Sequence, residues 1–165
     1  MKVRLVTLMS VLAAGAVICL GGCQKESGME MNISGLETPA DFIWEGDYID
    51  ENGGTAVLTI EKEGNVYKCS IGVPSDDMTH IDSYFFNATE YSGGGGLEYK
   101  DGTHTSFDLP AVDEDKETNL QTTTIYENGT GQLYYLSGAV CWIEDNENAG
   151  EDFSFIKQEE EDNGR

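Results

Sequence analysis

Between Phe42 and Lys157 apolar residues recur at every second position in short runs, and Gly, Asn, Asp and Ser separate the runs. This is the strand period, because successive side chains of an extended chain point to opposite faces. Over residues 66–73, Tyr67, Cys69, Ile71 and Val73 share one face while Lys68 and Ser70 take the other. Comparable runs are 55–60, 78–88, 97–99, 103–107, 122–126, 132–136, 139–143 and 153–156. Tight-turn signals stand between them: Lys100-Asp101-Gly102, Asn128-Gly129 and Ser137-Gly138. No run has a sustained 3.6-residue stripe of helical length, and Pro39, Pro74 and Pro110 fall where they interrupt no strand.

The pattern predicts an all-β domain over residues 42–157 with eight to ten short strands. Short links force antiparallel neighbours, because parallel strands need long crossovers. Such a meander must hide its two edges, either by closing or by folding into two sheets. The expected form is a small antiparallel up-and-down β-barrel. Residues 112–120 hold Asp113, Glu114, Asp115 and Glu117 and read as an exposed loop. Residues 158–165, with Glu159, Glu160, Glu161 and Asp162, read as an acidic disordered tail.

Residues 1–22 read as an N-terminal signal helix. Lys2 and Arg4 precede an apolar run from Leu5 to Leu20, and Leu20-Gly21-Gly22-Cys23 resembles a lipobox, the cleavage site of bacterial lipoprotein precursors. Small glycines fit a narrow peptidase site. The Cys23 thiol takes a diacylglycerol and becomes the new N-terminus, and two or three acyl chains hold a bilayer far better than one. As an uncleaved helix the apolar run reaches ~24 Å, short of a ~30 Å hydrocarbon core. Residues 23–41 lack aromatics and read as the lipidated cysteine and a flexible tether. Its last 18 residues have an end-to-end distance of roughly 23 Å, well beyond the ~8 Å Debye length. The chain is therefore expected on the extracytoplasmic face of a bacterial cell membrane, with the bilayer as its first partner.

Charge restricts the other partners. The chain has 31 Asp and Glu against 9 Lys and Arg, a net charge of −22, and losing Lys2 and Arg4 with the leader makes it −24. Phosphate grooves need clustered cations, so nucleic acid is excluded. A basic protein is attracted, and a small apolar ligand in a barrel mouth is the other candidate.

The order Trp44-Glu45-Gly46-Asp47-Tyr48, then Leu58-Thr59-Ile60, Tyr67, Leu97-Glu98-Tyr99 and Asp101-Gly102 resembles small lipoproteins of Gram-positive gut bacteria with a lipocalin-like (calycin-like) barrel. So does the close, residues 126–131, 142–145 and 147–150. The motifs are turn glycines and core aromatics, so the resemblance implies a fold and supplies no catalytic residue.

The chemistry of individual residues adds little. There is no G-x-S-x-G element. His80 and His104 are the only histidines and lie 24 residues apart without ligand-spaced partners, so no metal or cofactor is expected. Residues 145–150 begin like a calcium loop, with Gly150 at the sixth position, but Ile156 stands where the closing Glu belongs. Cys69 and Cys141 are candidates for a disulfide, which an extracytoplasmic location permits. Against it, if Trp142 points inward then Cys141 points outward, opposite to Cys69. Trp44, Tyr134 and Tyr135 are the candidate ligand-contact aromatics, and one of the adjacent tyrosines should face solvent. The reading is thus a non-enzymatic, membrane-anchored binding or structural module. Its alternatives are an acidic inhibitor or partner of basic proteins such as wall hydrolases, and a weak calcium- or carbohydrate-binding module.

Overall fold

The alternating runs become eight strands: β1 (Gly46–Asp50), β2 (Val57–Glu63), β3 (Val66–Pro74), β4 (His80–Glu90), β5 (Gly96–Asp108), β6 (Gln121–Leu136), β7 (Ala139–Glu144) and β8 (Ser154–Lys157). They are seen in a computed structural model that describes residues 36–109 and 121–159. The signal segment 1–22, acylation at Cys23, the tether as far as residue 35, the loop 112–120 and the tail from residue 160 lie outside the described residues. Each strand pairs antiparallel with the next, and β8 returns to pair with β1, closing the wall. Closure is the one arrangement that removes both sheet edges, so the expected up-and-down barrel forms.

Two of the turn signals do not make turns. Lys100-Asp101-Gly102 lies within β5 and Asn128-Gly129 within β6, and both strands run straight through them. The two glycines meet, Gly102 opposite Gly129, at a register shift between the strands. Asn128 has φ 60°, a left-handed conformation that Asn tolerates, and it supplies the bulge. A Cβ on Gly102 would press on the Tyr99 ring, and one on Gly129 on the Tyr126 ring. The local chemistry of a turn is used here to bend two long strands around the barrel. This explains why there are eight strands rather than ten.

The lumen is filled. Tyr48, Leu58, Ile60, Ile71, Leu97, Leu133, Val140, Trp142 and Phe155 point inward and are buried. Phe86 stacks on Tyr99 at 3.9 Å between ring centroids, and Tyr84 meets Trp142 edge-on at 4.7 Å. The Trp142 indole N–H donates to the Tyr99 hydroxyl at 3.0 Å, so both polar atoms are satisfied inside the apolar core. Tyr99 itself lies against Gly131, its cross-strand partner.

Cys69 points inward beside Ile60 and Phe86, its partners on β2 and β4. Cys141 points outward, opposite Tyr134 on β6. Both thiols are free, so the candidate disulfide is not formed. The wall separates them because β7 must turn Trp142 into the lumen. Burial pushes the Cys69 thiol up to about 12, with Asp101 adding a smaller effect. Tyr48, Tyr84, Tyr99 and Tyr126 are raised as well, each chiefly by burial.

Two outcomes follow. A Cβ at Gly131 would collide with the Ile143 carbonyl and the Tyr99 hydroxyl, so Gly131→Ala should cost about 1–3 kcal/mol, a fall in Tm of roughly 5–20 °C. Gly72→Ala, where the nearest atom is 3.6 Å away, serves as the near-neutral control in the same melting experiment. A raised folded-state pKa means stability complete below the unfolded value and lost as pH rises. Cys69 and the four tyrosines should therefore destabilise the fold progressively between pH 9 and about 12, read as a falling Tm by circular dichroism.

Candidate functional site

The two ends of the barrel are closed differently. At the end where β1 begins, residues 36–45 form a strap. Phe42 N–H donates to the Pro39 carbonyl, turning the chain, and Phe42 then packs edge-on against Trp44 at 5.1 Å and against Tyr135 at 4.5 Å. The Tyr48 hydroxyl donates to the Trp44 carbonyl at 2.6 Å, and Lys157 Nζ donates to the Ile43 carbonyl at 3.0 Å. Leu36 lies outside the wall against Tyr134 and Cys141. From Leu36 onward the segment lies against the barrel, where the outward apolar pair Tyr134 and Cys141 gives it a surface to bury.

Beside this strap opens a cleft of about 620 Å³, within the size range of small-molecule sites. Trp44, Tyr67 and Tyr91 supply its aromatic surface, and Glu45, Glu90 and Lys62 its charges. Lys62 Nζ donates to the Tyr67 hydroxyl at 2.9 Å and lies 4.7 Å from that ring's centroid. The Tyr67 hydroxyl in turn donates to Glu90 at 3.5 Å. The lone cation of the cleft is thus held by a tyrosine, which also raises the lysine's pKa.

The candidate aromatics are distributed around this end. Trp44 lines the cleft but is buried. Tyr135 points inward against Phe42, and Tyr134 points outward but is covered by the Leu36 side of the strap. Neither tyrosine faces open solvent, because the end of the tether covers the outer one.

The opposite end carries a cluster that the sequence did not reveal. Tyr84, His104 and Tyr126 are cross-strand neighbours on β4, β5 and β6. Tyr84 stacks on the imidazole at 4.2 Å between centroids, and Tyr126 meets it edge-on at 5.5 Å. His104 is 6 % exposed, and its Nδ1 lies 2.8 Å from Glu147 Oε2. Its Nε2 lies 3.2 Å from Asp82 Oδ1. Glu144, almost fully buried, accepts the backbone N–H groups of Asn146 and Glu147 at 2.8 and 2.6 Å and a bond from the Tyr126 hydroxyl.

The same kind of bond engages residues 145–150, the stretch that begins like a calcium loop. Asp145 accepts from the Thr130 hydroxyl at 2.6 Å, Glu147 is spent on His104, and Glu144 folds the loop back on itself. These carboxylates point into the protein's own hydrogen bonds rather than toward a common centre.

No family model, curated protein or solved structure matches the chain. What stands of the resemblance is its coarser content, a small closed antiparallel barrel of eight strands compatible with the lipocalin-like kind.

The strap makes a checkable statement. Leu36→Asp should free the segment from Tyr134 and Cys141, and the Cys141 thiol should then react with an alkylating reagent under native conditions. In the unaltered protein Cys69 and Cys141 should label only after unfolding, as read by peptide mass spectrometry.

Proposed function

We propose that the protein is a lipid-anchored, extracytoplasmic module of a bacterial envelope that binds a basic partner through its acidic wall and the cleft at the strap end. The observation that carries this reading is the filled lumen combined with the surface charge. A barrel packed with Trp142, Tyr99, Phe86 and Phe155 supports recognition on the outside. On that outside the acids are in large excess. The basic side chains among the described residues are Lys62, Lys68, Lys100 and Lys157, and each is engaged within the fold. Lys62 bonds Tyr67, Lys68 pairs with Glu63, Lys100 with Glu98 at 3.4 Å, and Lys157 bonds the Ile43 carbonyl. An incoming protein therefore meets carboxylates. Its lysine or arginine side chains find Glu45 and Glu90 beside the Tyr67 and Tyr91 rings, a setting that suits a cation on both electrostatic and cation–π grounds. The lipobox-like Leu20-Gly21-Gly22-Cys23 supports the anchor.

Mass spectrometry of protein isolated from its native envelope tests the anchor: the N-terminal peptide should begin at Cys23 and carry acyl mass. An untrimmed soluble chain would overturn that half of the reading. Binding of a basic wall hydrolase tests the other half. Affinity should fall steeply between about 0.1 and 1 M salt, where the Debye length shrinks from ~10 to ~3 Å. Replacing Glu45 and Glu90 by Gln should each cost roughly 1 kcal/mol, near the top of the range for partly exposed charges. Salt-independent binding, or binding indifferent to both replacements, contradicts the cleft as the docking point.

A further inference from the structure

With 16 residues β6 is the longest strand of the wall, and only part of it is enclosed. It pairs with β5 from Gln121 to Tyr134, but β7 meets it only from Gly131 to Leu136. Just past that ladder the Asp145 N–H donates to the Thr130 carbonyl at 3.0 Å. Among the described residues no strand pairs with residues 121–129 on the side away from β5. Closure removes the sheet edges as far as the ladders reach, and here β6 outruns them. We propose that this open edge takes an extended, basic segment of a partner protein as an added strand. The proposal deepens the reading above and rests on it for the sign of the partner's charge, but the edge is a contact separate from the cleft.

The stretch has the composition of a strand and no core to fill. Thr122, Thr123, Thr124, Ile125 and Tyr126 are β-branched or aromatic, the residue types that favour extended chain. Yet residues 121–125 are all exposed, on both faces of the strand, and Ile125 is 46 % accessible. Only Tyr126 turns inward, against His104. Strand-forming side chains that bury nothing leave the backbone as the useful part of this segment.

Open edges are commonly guarded by Lys, by Pro or by bulges. Residues 121–127 hold neither Lys nor Pro. Bulges are present, but the register shifts lie opposite His104 and beyond it, and Gln121–Thr124 pairs residue for residue with Asp108–Thr105. This regular part is backed in turn by β4, which pairs with the same four residues of β5. The edge is therefore straight, rigid and already extended. Four residues offer a ladder as long as the one by which β2 holds β1. Alternate N–H and C=O groups point out of it, and an added strand pairs with them.

Charge selects the occupant. Between Asp101 and Ile156 the only Lys or Arg is Lys116, against twelve Asp and Glu. Asp108 stands across the ladder from Gln121, and Glu127 follows on β6, both exposed. The strand itself is neutral from Gln121 to Tyr126, so it repels nothing, and its threonines set no demanding size for a neighbour. A segment carrying Lys or Arg brings the missing sign to the flanking carboxylates. A second copy of the chain brings the same excess of acids and is disfavoured on that ground.

The probe is a capped six-residue peptide of alternating Lys and Val, titrated by calorimetry into the full chain in detergent micelles. One peptide should bind per chain and slow amide hydrogen exchange at residues 121–124. The same peptide methylated at every backbone nitrogen keeps its charge and side chains but loses its donors, and should bind roughly tenfold more weakly or worse. Thr122 and Thr123 are neighbours, so one turns its N–H toward β5 and the other toward the open edge. Of Thr122→Pro and Thr123→Pro, one should lower Tm, and the other should leave Tm unchanged and abolish peptide binding. The absence of peptide binding overturns the assignment, as does equal binding of the methylated peptide, protection confined to residues outside β6, or binding that survives both proline variants. Dimers in sedimentation whose residues 121–124 are protected without peptide also overturn it, and make a second copy the occupant. Peptide binding as described with no binding of a wall hydrolase leaves the edge standing and removes the basic-protein reading. Hydrolase binding that depends on Glu45 and Glu90 with no peptide binding removes the edge alone.

Discussion

Tyr99 occupies the point on which three strands agree. Its ring lies over Gly131 on β6 and against Gly102 on its own strand, stacks on Phe86 of β4, and its hydroxyl accepts from the Trp142 indole of β7. A large ring at that place requires neighbours with no side chain, and the glycines provide them. The polar hydroxyl and indole N–H satisfy each other, so the largest buried residues of the barrel can be packed without an orphaned polar group. Everything around it follows as consequence. The glycines that admit the ring also loosen the β5–β6 register, the register shifts bend the strands, and the bend brings β8 round to β1. Loss of room at this point affects closure as well as packing.

A barrel packed to its centre in this way leaves its polar clusters to its two ends. One end is shut by the strap, whose Phe42 and Trp44 stand over the core while the cleft opens beside them. The other carries the imidazole of His104 among Asp82, Glu144 and Glu147, held by a loop whose own backbone is tied to a buried carboxylate. Only a rigid wall between them allows two such unlike environments within one small domain.

The sequence carried the strand content and the antiparallel order well, because period-two alternation is a local signal that a half-buried wall imposes directly. The inward placing of Trp142 and outward placing of Cys141 were legible for the same reason. Where sequence reading failed, the deciding contact was distant. Asp101-Gly102 and Asn128-Gly129 have the composition of hairpin turns, and only their mutual pairing across two strands makes them bulges. One of the adjacent Tyr134 and Tyr135 should face solvent by alternation, but Leu36, nearly a hundred residues earlier, lies against the outward Tyr134 and nothing local announces its return. His80 and His104 looked unrelated at their separation along the chain; antiparallel pairing of β4 with β5 is what folds them onto Asp82. Strand register, once known, would have found the first and the last of these, but not the return of Leu36, which lies on no strand.

The eighth strand has a consequence of its own. It contributes four residues, paired at Tyr48, Ile49 and Asp50 on one side and at Val140 and Cys141 on the other. The two seams that flank this strand, with three register pairs to β1 and two to β7, are thus the thinnest in the wall. Amide hydrogens there should exchange with solvent before those of the long β5–β6 ladder. The seam with β1 makes the closed cylinder reversible, since parting a few bonds between the chain's two outermost strands is enough to let the sheet unroll.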